Sequence, residues 1–137
     1  MNYQSKGLRF ATLVRSGMVA GDGQQAKDLA RIIRARRSRQ HYFPAHLFAD
    51  PAWDILLALA LADLEQQRLS VSELCKAAEA PQSTALRYIQ AMVEEGLIET
   101  VDDPLDRRRK FLSLSAAAAG QMALYLNSQH LAGLKAA

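Results

Sequence analysis

The spacing of apolar residues predicts helices over most of the chain. In residues 24–40, Leu29, Ile32 and Ile33 form a narrow apolar stripe with arginines around it, whereas residues 51–67 are apolar on nearly every side. A helix with one apolar stripe packs on one face, and a helix that is apolar all round is buried on most sides. The second stretch is therefore predicted to be the central helix of the core.

Two short helices joined by a tight turn are predicted between residues 70 and 96. Ser70 and Glu73 match the S-x-x-E pattern of a capping box, in which each side chain satisfies a backbone N–H at the start of a helix. Pro81 suits the first turn of the second helix, and Gly96 suits its left-handed C-terminal cap. These signals delimit a helix pair of the helix-turn-helix type.

The two helices are predicted to bury one face and expose the other. Inward positions are Leu74, Cys75 and Ala78 on the first helix and Leu86, Ile89 and Val93 on the second. The opposite face of the second helix carries Ser83, Thr84, Arg87 and Tyr88. A polar outer face is typical of a helix that reads DNA, but an ordinary helical hairpin with a solvated face fits this stretch equally well.

Residues 97–115 decide between these two interpretations. They read as a strand, the turn DDPLD and a returning strand in which Phe111, Ser113 and Ser115 alternate with Leu112 and Leu114. Four consecutive cations, residues 107–110, lie where the hairpin exits the turn, and neighbouring like charges repel unless an anion approaches. A hairpin directly after a recognition helix is a wing, whose arginines can reach phosphates or the minor groove.

Residues 50–126 resemble the winged-helix domain of the MarR family of bacterial transcription regulators. The matching stretches are SVSELCKAAE, STALRYIQAMVEEGLIE and DPLDRRRKFLSLS, and the wing signature of the family falls on Asp106, Arg108, Leu112, Leu114 and Ser115. The resemblance implies a mainly α fold with a small β-wing, in which N- and C-terminal helices mediate dimerisation.

The predicted organisation is a flexible N-terminal arm over residues 1–22 and a single winged-helix domain over residues 23–137. Within that domain we expect the helix-turn-helix at 70–96, the wing at 97–115 and a C-terminal helix at 116–135. Ser115 is expected to cap the last helix. Met122, Tyr125 and Leu126 are expected to pack on the body, and a second apolar stripe, consisting of Leu124, Leu131 and Leu134, to meet another chain.

The charge distribution supports an anionic partner. The chain has 137 residues and a net charge of +3. Residues 1–40 contain nine Lys/Arg and two acidic residues, whereas residues 41–100 contain three and nine. The arginines of residues 24–40 are predicted to act as a positive field towards DNA, although each one singly suits a solvated helix face. One cysteine excludes an internal disulfide, and without an apolar run of ~20 residues a soluble cytoplasmic protein is expected.

Several residues invite a small-molecule or metal hypothesis. By resemblance to the family, a ligand pocket would be lined by Tyr42, Phe43, Phe48 and Trp53, with ordinary core packing as the favoured alternative. His41 and His46 lack further ligands at metal-binding spacing, so neither a metal nor a cofactor is predicted. Cys75 is expected to be a small core residue rather than a redox sensor.

The predicted function is that of a homodimeric regulator that binds double-stranded DNA. The residues assigned to base edges are Gln82, Ser83, Thr84 and Arg87, and those assigned to phosphates are Ser72 and Tyr88. By resemblance, Arg108 enters the minor groove, Asp106 braces it, and Arg107 and Arg109 hold the backbone. The alternatives are a winged helix that binds protein and a nonspecific DNA architectural protein. No enzyme motif is visible, so an enzyme is not expected.

Overall fold

The computed structural model describes residues 23–136, and side chains up to residue 129. The elements are α1 (Gln24–Ser38), α2 (Pro51–Leu64), β1 (Leu69–Ser70), α3 (Val71–Ala77), α4 (Gln82–Glu94), β2 (Ile98–Asp103), β3 (Asp106–Leu114) and α5 (Ala116–Ala136). Two short 3₁₀ turns, Arg39–His41 and Ala45–Leu47, connect α1 to α2. The predicted mainly α fold with a small sheet is confirmed, and the predicted arm over residues 1–22 lies outside the described residues.

Helix α2 is the central helix of the core, as its apolar pattern predicts. Ile55 and Leu57 are fully buried, and Leu59 is nearly so. The helix ends at Leu64, three residues earlier than predicted, and Gln66 then takes a left-handed backbone conformation with φ +57°. Asp50 stands at the N-cap position but makes no capping hydrogen bond, so the pre-organised proline at the next position opens the helix without a side-chain cap.

The capping box at the start of α3 is confirmed. The Ser70 N–H donates to Oε1 of Glu73 over 3.0 Å, and the Glu73 N–H donates to Oγ of Ser70 over 3.3 Å. Leu74 and Ala78 are fully buried, as predicted. Two backbone groups at a helix start thus have side-chain partners, which fixes the entry of the chain into the helix-turn-helix.

The buried stripe of α4 differs from the prediction by a small rotation of the helix. Ala85, Ile89 and Met92 are buried, at a spacing of four and three residues, whereas Leu86 is 39% exposed. The i, i+4, i+7 row lies along one helix face as closely as the predicted i, i+3, i+7 row, and sequence spacing does not choose between them. Gly96 ends the segment with φ +80°, the left-handed conformation that was predicted.

The sheet is antiparallel, with the order β1-β3-β2. In the wing hairpin Thr100 lies opposite Leu112, and on the other edge of β3 the same leucine lies opposite Leu69. Strand β1 has two residues and was not predicted. Because Ser70 both ends β1 and caps α3, the base of the wing is joined directly to the helix-turn-helix.

Helix α5 packs on the core and contacts α1 and β3. Met122 and Leu126 are buried, as predicted, while Leu124 is 70% exposed. Tyr125 is 38% exposed and meets the Trp53 ring edge-on, with 5.0 Å between ring centroids. The Ser115 hydroxyl accepts from the Ala118 N–H over 3.1 Å and so caps α5. The side chains of Leu131 and Leu134 lie outside the described residues, and no helix between residues 23 and 136 is long and apolar enough to cross a membrane.

Candidate nucleic-acid interface

A groove lies between the beginnings of α3 and α4 and the cationic part of β3. Its lining consists of Ser70, Val71, Ser72, Gln82, Arg108, Arg109 and Lys110. Four residues that the sequence assigned to DNA contact, namely Ser72, Gln82, Arg108 and Arg109, are thereby brought to one surface from three separate elements. Lys110 also lines the groove and was not among the assigned residues, although it belongs to the same run of cations.

The outer face of α4 continues this surface along the helix. Ser83 and Arg87 are exposed, Thr84 is half-buried, and Tyr88 is 41% exposed. Arg87 and Tyr88 line an open depression with Ala91, separate from the groove at the helix start. No acidic residue lies in the first turn of α4, so the positive end of its helix dipole has no carboxylate on the same turn.

Three of the four wing cations lie beside a carboxylate of the same chain. Nε of Arg108 is 3.3 Å from Oδ1 of Asp106, and Nζ of Lys110 is 2.9 Å from Oδ1 of Asp102. Nη2 of Arg109 is 3.4 Å from Oε1 of Glu73. Acidic residues of the wing and of α3 therefore supply anionic neighbours for this run of cations from within the same chain.

These ion pairs are exposed and leave the cations available. The Arg108 side chain is 92% exposed. In the pairs Arg109–Glu73 and Lys110–Asp102, every side chain is about half exposed or more. Exposed pairs contribute about 0–1 kcal/mol. Exchange of such a carboxylate for a phosphate therefore costs little.

Asp106 holds Arg108 at two points. Its Oδ1 accepts from the Arg108 backbone N–H over 3.0 Å and from Nε over 3.3 Å. At the wing tip, Oδ1 of Asp103 accepts from the Leu105 N–H over 2.8 Å. This arrangement fits the bracing role that the family resemblance implies for Asp106. Arg107, its neighbour in β3, is exposed.

Glu73 is a site residue that sequence reasoning missed. Hydrogen bonds from the Ser70 backbone and hydroxyl, followed by the charge of Arg109, lower the pKa of its carboxyl below the ordinary value. The capping-box pattern predicted that Glu73 lies at the start of α3, but it did not predict a partner in the wing. Only the pairing of β1 with β3 brings the wing arginine, which is 36 residues away, within reach of it.

The four aromatic residues assigned to a ligand pocket do not line one cavity. Phe43 and Phe48, with ring centroids 5.8 Å apart, line a cavity beside the arginines at the end of α1. Trp53 instead lines an apolar groove with Tyr125, and Tyr42 is 79% exposed. Pro44 and the two 3₁₀ turns hold residues 39–50 on the surface. The alternative of ordinary core packing is therefore also wrong for Tyr42, Phe43 and Phe48.

The metal and redox candidates have bland surroundings. Among the side chains described, those of residues 23–129, no three His, Cys, Asp or Glu come together as a metal site would require. Cys75 is 7% exposed, and burial raises the pKa of its thiol. A buried thiol with a raised pKa is a poor nucleophile, so the prediction of a core cysteine is confirmed.

The fold and the exposed helix define the class of protein. Helices α1, α3 and α4 pack around α2, α4 has an exposed polar face, and β2 and β3 form a hairpin wing. This combination constitutes a winged helix-turn-helix. Residues 48–109 match the profile of the MarR family. Over this stretch, which contains the helix-turn-helix and the beginning of the wing, the chain is similar to MarR-family proteins.

Solved structures share this fold. MepR of S. aureus in its DNA-binding conformation is 18% identical with a TM-score of 0.50, over 79% of this chain and 80% of MepR. The transcriptional regulator PA4135 is 14% identical with a TM-score of 0.51, over 77% of each chain. At such identities the similarity establishes the fold alone. The chain has no significant match among curated proteins.

Proposed function

We propose that this protein is a transcription regulator that binds double-stranded DNA in a sequence-specific manner. In this proposal the beginning of α4 enters the major groove, where Gln82, Ser83, Thr84 and Arg87 contact base edges. The wing lies along the adjacent minor groove with Arg108 inserted. Phosphates are held by Ser72, Tyr88, Arg107 and Arg109.

One observation carries the proposal. The groove joins the start of the recognition helix to the wing arginines, so a base-reading element and a phosphate-binding element share one continuous surface. A major groove about 12 Å wide admits an α-helix, and cations beside it meet the flanking backbone. Protein-binding winged helices need no such combination of polar helix face and cationic wing.

We also propose that the protein acts as a homodimer in the bacterial cytoplasm. Support comes from α5, where Leu124 is 70% exposed and where Met122 and Tyr125 line an open apolar groove with Trp53. Burial of such a surface against a second copy removes apolar area from water. A two-fold dimer would favour pseudo-palindromic half-sites about 10 base pairs apart.

The test compares two DNA duplexes over a salt series, with molar mass measured alongside. One duplex is the region upstream of the protein's own gene, and the other has the same length and a random sequence. A dimer that binds the upstream duplex at least about 10³-fold more tightly, with strong salt dependence, supports the proposal. Equal affinity for both favours an architectural protein, and no binding at low salt favours a protein-binding module.

A further inference from the structure

The turn between α3 and α4 contains a residue in an unusual backbone conformation. Glu79 has φ +52°, in the left-handed region that glycine adopts without steric cost. It stands two residues beyond the end of α3 and three before the start of α4. The direction in which α4 leaves the turn therefore depends on how this residue is held.

The Glu79 side chain is held by the end of α1 and by the 3₁₀ turn that follows it. Nε of Arg37 lies 2.8 Å from Oε1, and Nε2 of Gln40 donates to Oε2. Both carboxylate oxygens thus have a partner about 40 positions away in sequence. The Glu79 side chain is 27% exposed, which places the carboxylate partly out of water.

Helix α1 is itself attached firmly to the core. Leu29 is fully buried, and Ile33 packs against the core cluster. Nε of Arg36, the residue before the Glu79 partner, lies 2.6 Å from Oδ1 of Asp54 on α2, and both side chains are less than one-fifth exposed. The carboxylate of Glu79 therefore connects the turn to a rigid part of the molecule.

We infer that Glu79 is a positioning residue for DNA recognition, which sets the orientation of α4 through Arg37 and Gln40. The inference rests on the proposed function, since it concerns the helix assigned to the major groove. Its consequence is that a displacement of the α1 end is transmitted to α4. The end of α1 is thereby a control point for sequence-specific binding.

Loss of the Glu79 charge and loss of its positioning role have different effects on DNA affinity. Loss of a carboxylate near a DNA-binding surface raises affinity for any DNA, because a like charge is removed. Loss of correct positioning lowers affinity for the preferred sequence only. A Glu79 variant that loses operator affinity while random-sequence affinity holds or rises thus reports position and not charge.

The experiment uses the full chain and the upstream duplex that it prefers, with a random duplex as the comparison. Glu79→Gly removes the side chain in a residue that tolerates φ +52°, and Glu79→Gln keeps its size while removing its charge. We expect Glu79→Gly to reduce the upstream-to-random affinity ratio about fivefold or more, within the usual range for coupled sites. Glu79→Gln is expected to lose less, because an amide oxygen still accepts one hydrogen bond.

Arg37→Ala and the double variant Arg37→Ala/Glu79→Gly complete the test. If the two residues act as a pair, the double variant loses no more than the weaker-binding single variant. Arg34→Ala removes the same charge from an exposed position of α1 and is expected to leave the ratio unchanged. Circular dichroism melts establish that each variant is folded at the assay temperature. If Glu79→Gly is unfolded there, Glu79→Gln is used for the comparison instead.

The outcomes are distinct. Unchanged ratios in both Glu79 variants, or additive losses in the double variant, overturn the inference. A wild-type protein without preference for the upstream duplex overturns the proposed function and this inference with it. A wild-type protein that has the preference, beside variants that retain it, overturns this inference alone.

Discussion

Arg109 of the wing lies against Glu73 of α3, with Nη2 3.4 Å from Oε1. The same guanidinium stands 5.1 Å from the centroid of the Phe111 ring. Glu73 in turn accepts from the backbone and hydroxyl of Ser70, so that one carboxylate joins the capping box to the wing. A DNA phosphate that binds Arg109 must compete with this carboxylate.

We expect Glu73→Gln to bind random duplex DNA more tightly than wild type. The substitution removes a negative charge beside the groove and frees Arg109, and glutamine also serves at this position of a capping box. A unit charge acting through water over several ångströms is worth about 0.5–1 kcal/mol, which is about two- to fivefold in affinity. Fluorescence anisotropy at low salt measures the change. Glu94→Gln, at the exposed far end of α4, is the charge-matched control, and equal gains in both variants would contradict a local effect.

The contribution of Glu73 to stability should depend on pH in a defined direction. Hydrogen bonds from Ser70 and the charge of Arg109 lower its pKa in the folded state below the ordinary value of 4.5. A carboxyl with a depressed folded pKa stabilises the protein above the unfolded pKa, and that stability is lost as pH falls through the folded pKa. Wild type should therefore exceed Glu73→Gln by at most about 1 kcal/mol at pH 7, since the side chain is half exposed. Urea unfolding should show this difference shrinking below pH 4.5, and a difference that grows on acidification would refute the assignment.

The wing and the recognition helix should respond differently to loss of an arginine. Arg108→Ala should weaken binding to upstream and random duplexes alike and reduce the salt slope by about 1, because it removes a contact that every sequence offers. Arg87→Ala should cost about 1–3 kcal/mol on the preferred sequence and blunt discrimination. Salt titrations with both duplexes measure the two effects. If both variants bind both duplexes like wild type, the assigned surface is wrong.

Two leucines provide a matched test of the core. Leu74 of α3 is fully buried, whereas Leu105 at the wing tip is 94% exposed. Leu74→Ala should lower the free energy of unfolding by about 2–5 kcal/mol through lost burial and a residual cavity. Leu105→Ala, the same chemical change, should stay within about 0.5 kcal/mol of wild type. Urea denaturation gives both values, and a loss below 1 kcal/mol for Leu74→Ala would show that α3 does not pack as described.

Substitution by alanine at two glycines should change the stability of the protein in opposite directions. Gly96 has φ +80°, and Gly120 lies within helix α5, while a Cβ at either position would meet nothing within 4 Å. Gly96→Ala should destabilise by about 1 kcal/mol, because alanine disfavours the left-handed conformation. Gly120→Ala should stabilise by about 0.5–1 kcal/mol, because it reduces the entropy of the unfolded chain. Thermal unfolding resolves the two signs, and a stabilising Gly96→Ala would exclude a left-handed cap there.

Local features were largely predictable from the sequence. The capping box of Ser70 and Glu73, the left-handed Gly96, the apolar central helix and the burial of Cys75 each depend on a few neighbouring residues. Capping, turn chemistry and helical periodicity act over one or two turns of chain. Such short-range rules can be read without knowing what packs against them.

The wrong or missed features depend on what lies across the fold. The sequence spacing allowed either Leu86 or Ala85 in the core, and only packing against the other helices chose Ala85. The aromatic residues near Pro44 were expected to converge, yet the surface course of residues 39–50 separates them from Trp53. Helical periodicity leaves an uncertainty in helix rotation that tertiary contacts remove.

The chain alone determined the class of its elements, the order of helix, helix and wing, and the presence of a cationic hairpin. The tertiary structure alone decided which carboxylates neighbour those cations and which end of α1 meets the helix-turn-helix. Glu73 with Arg109 and Glu79 with Arg37 are pairs separated by 36 and 42 positions. Local backbone preferences act over a few residues, whereas contacts at such separations follow from how strands pair and helices pack, and a pattern along the chain carries no direct trace of them.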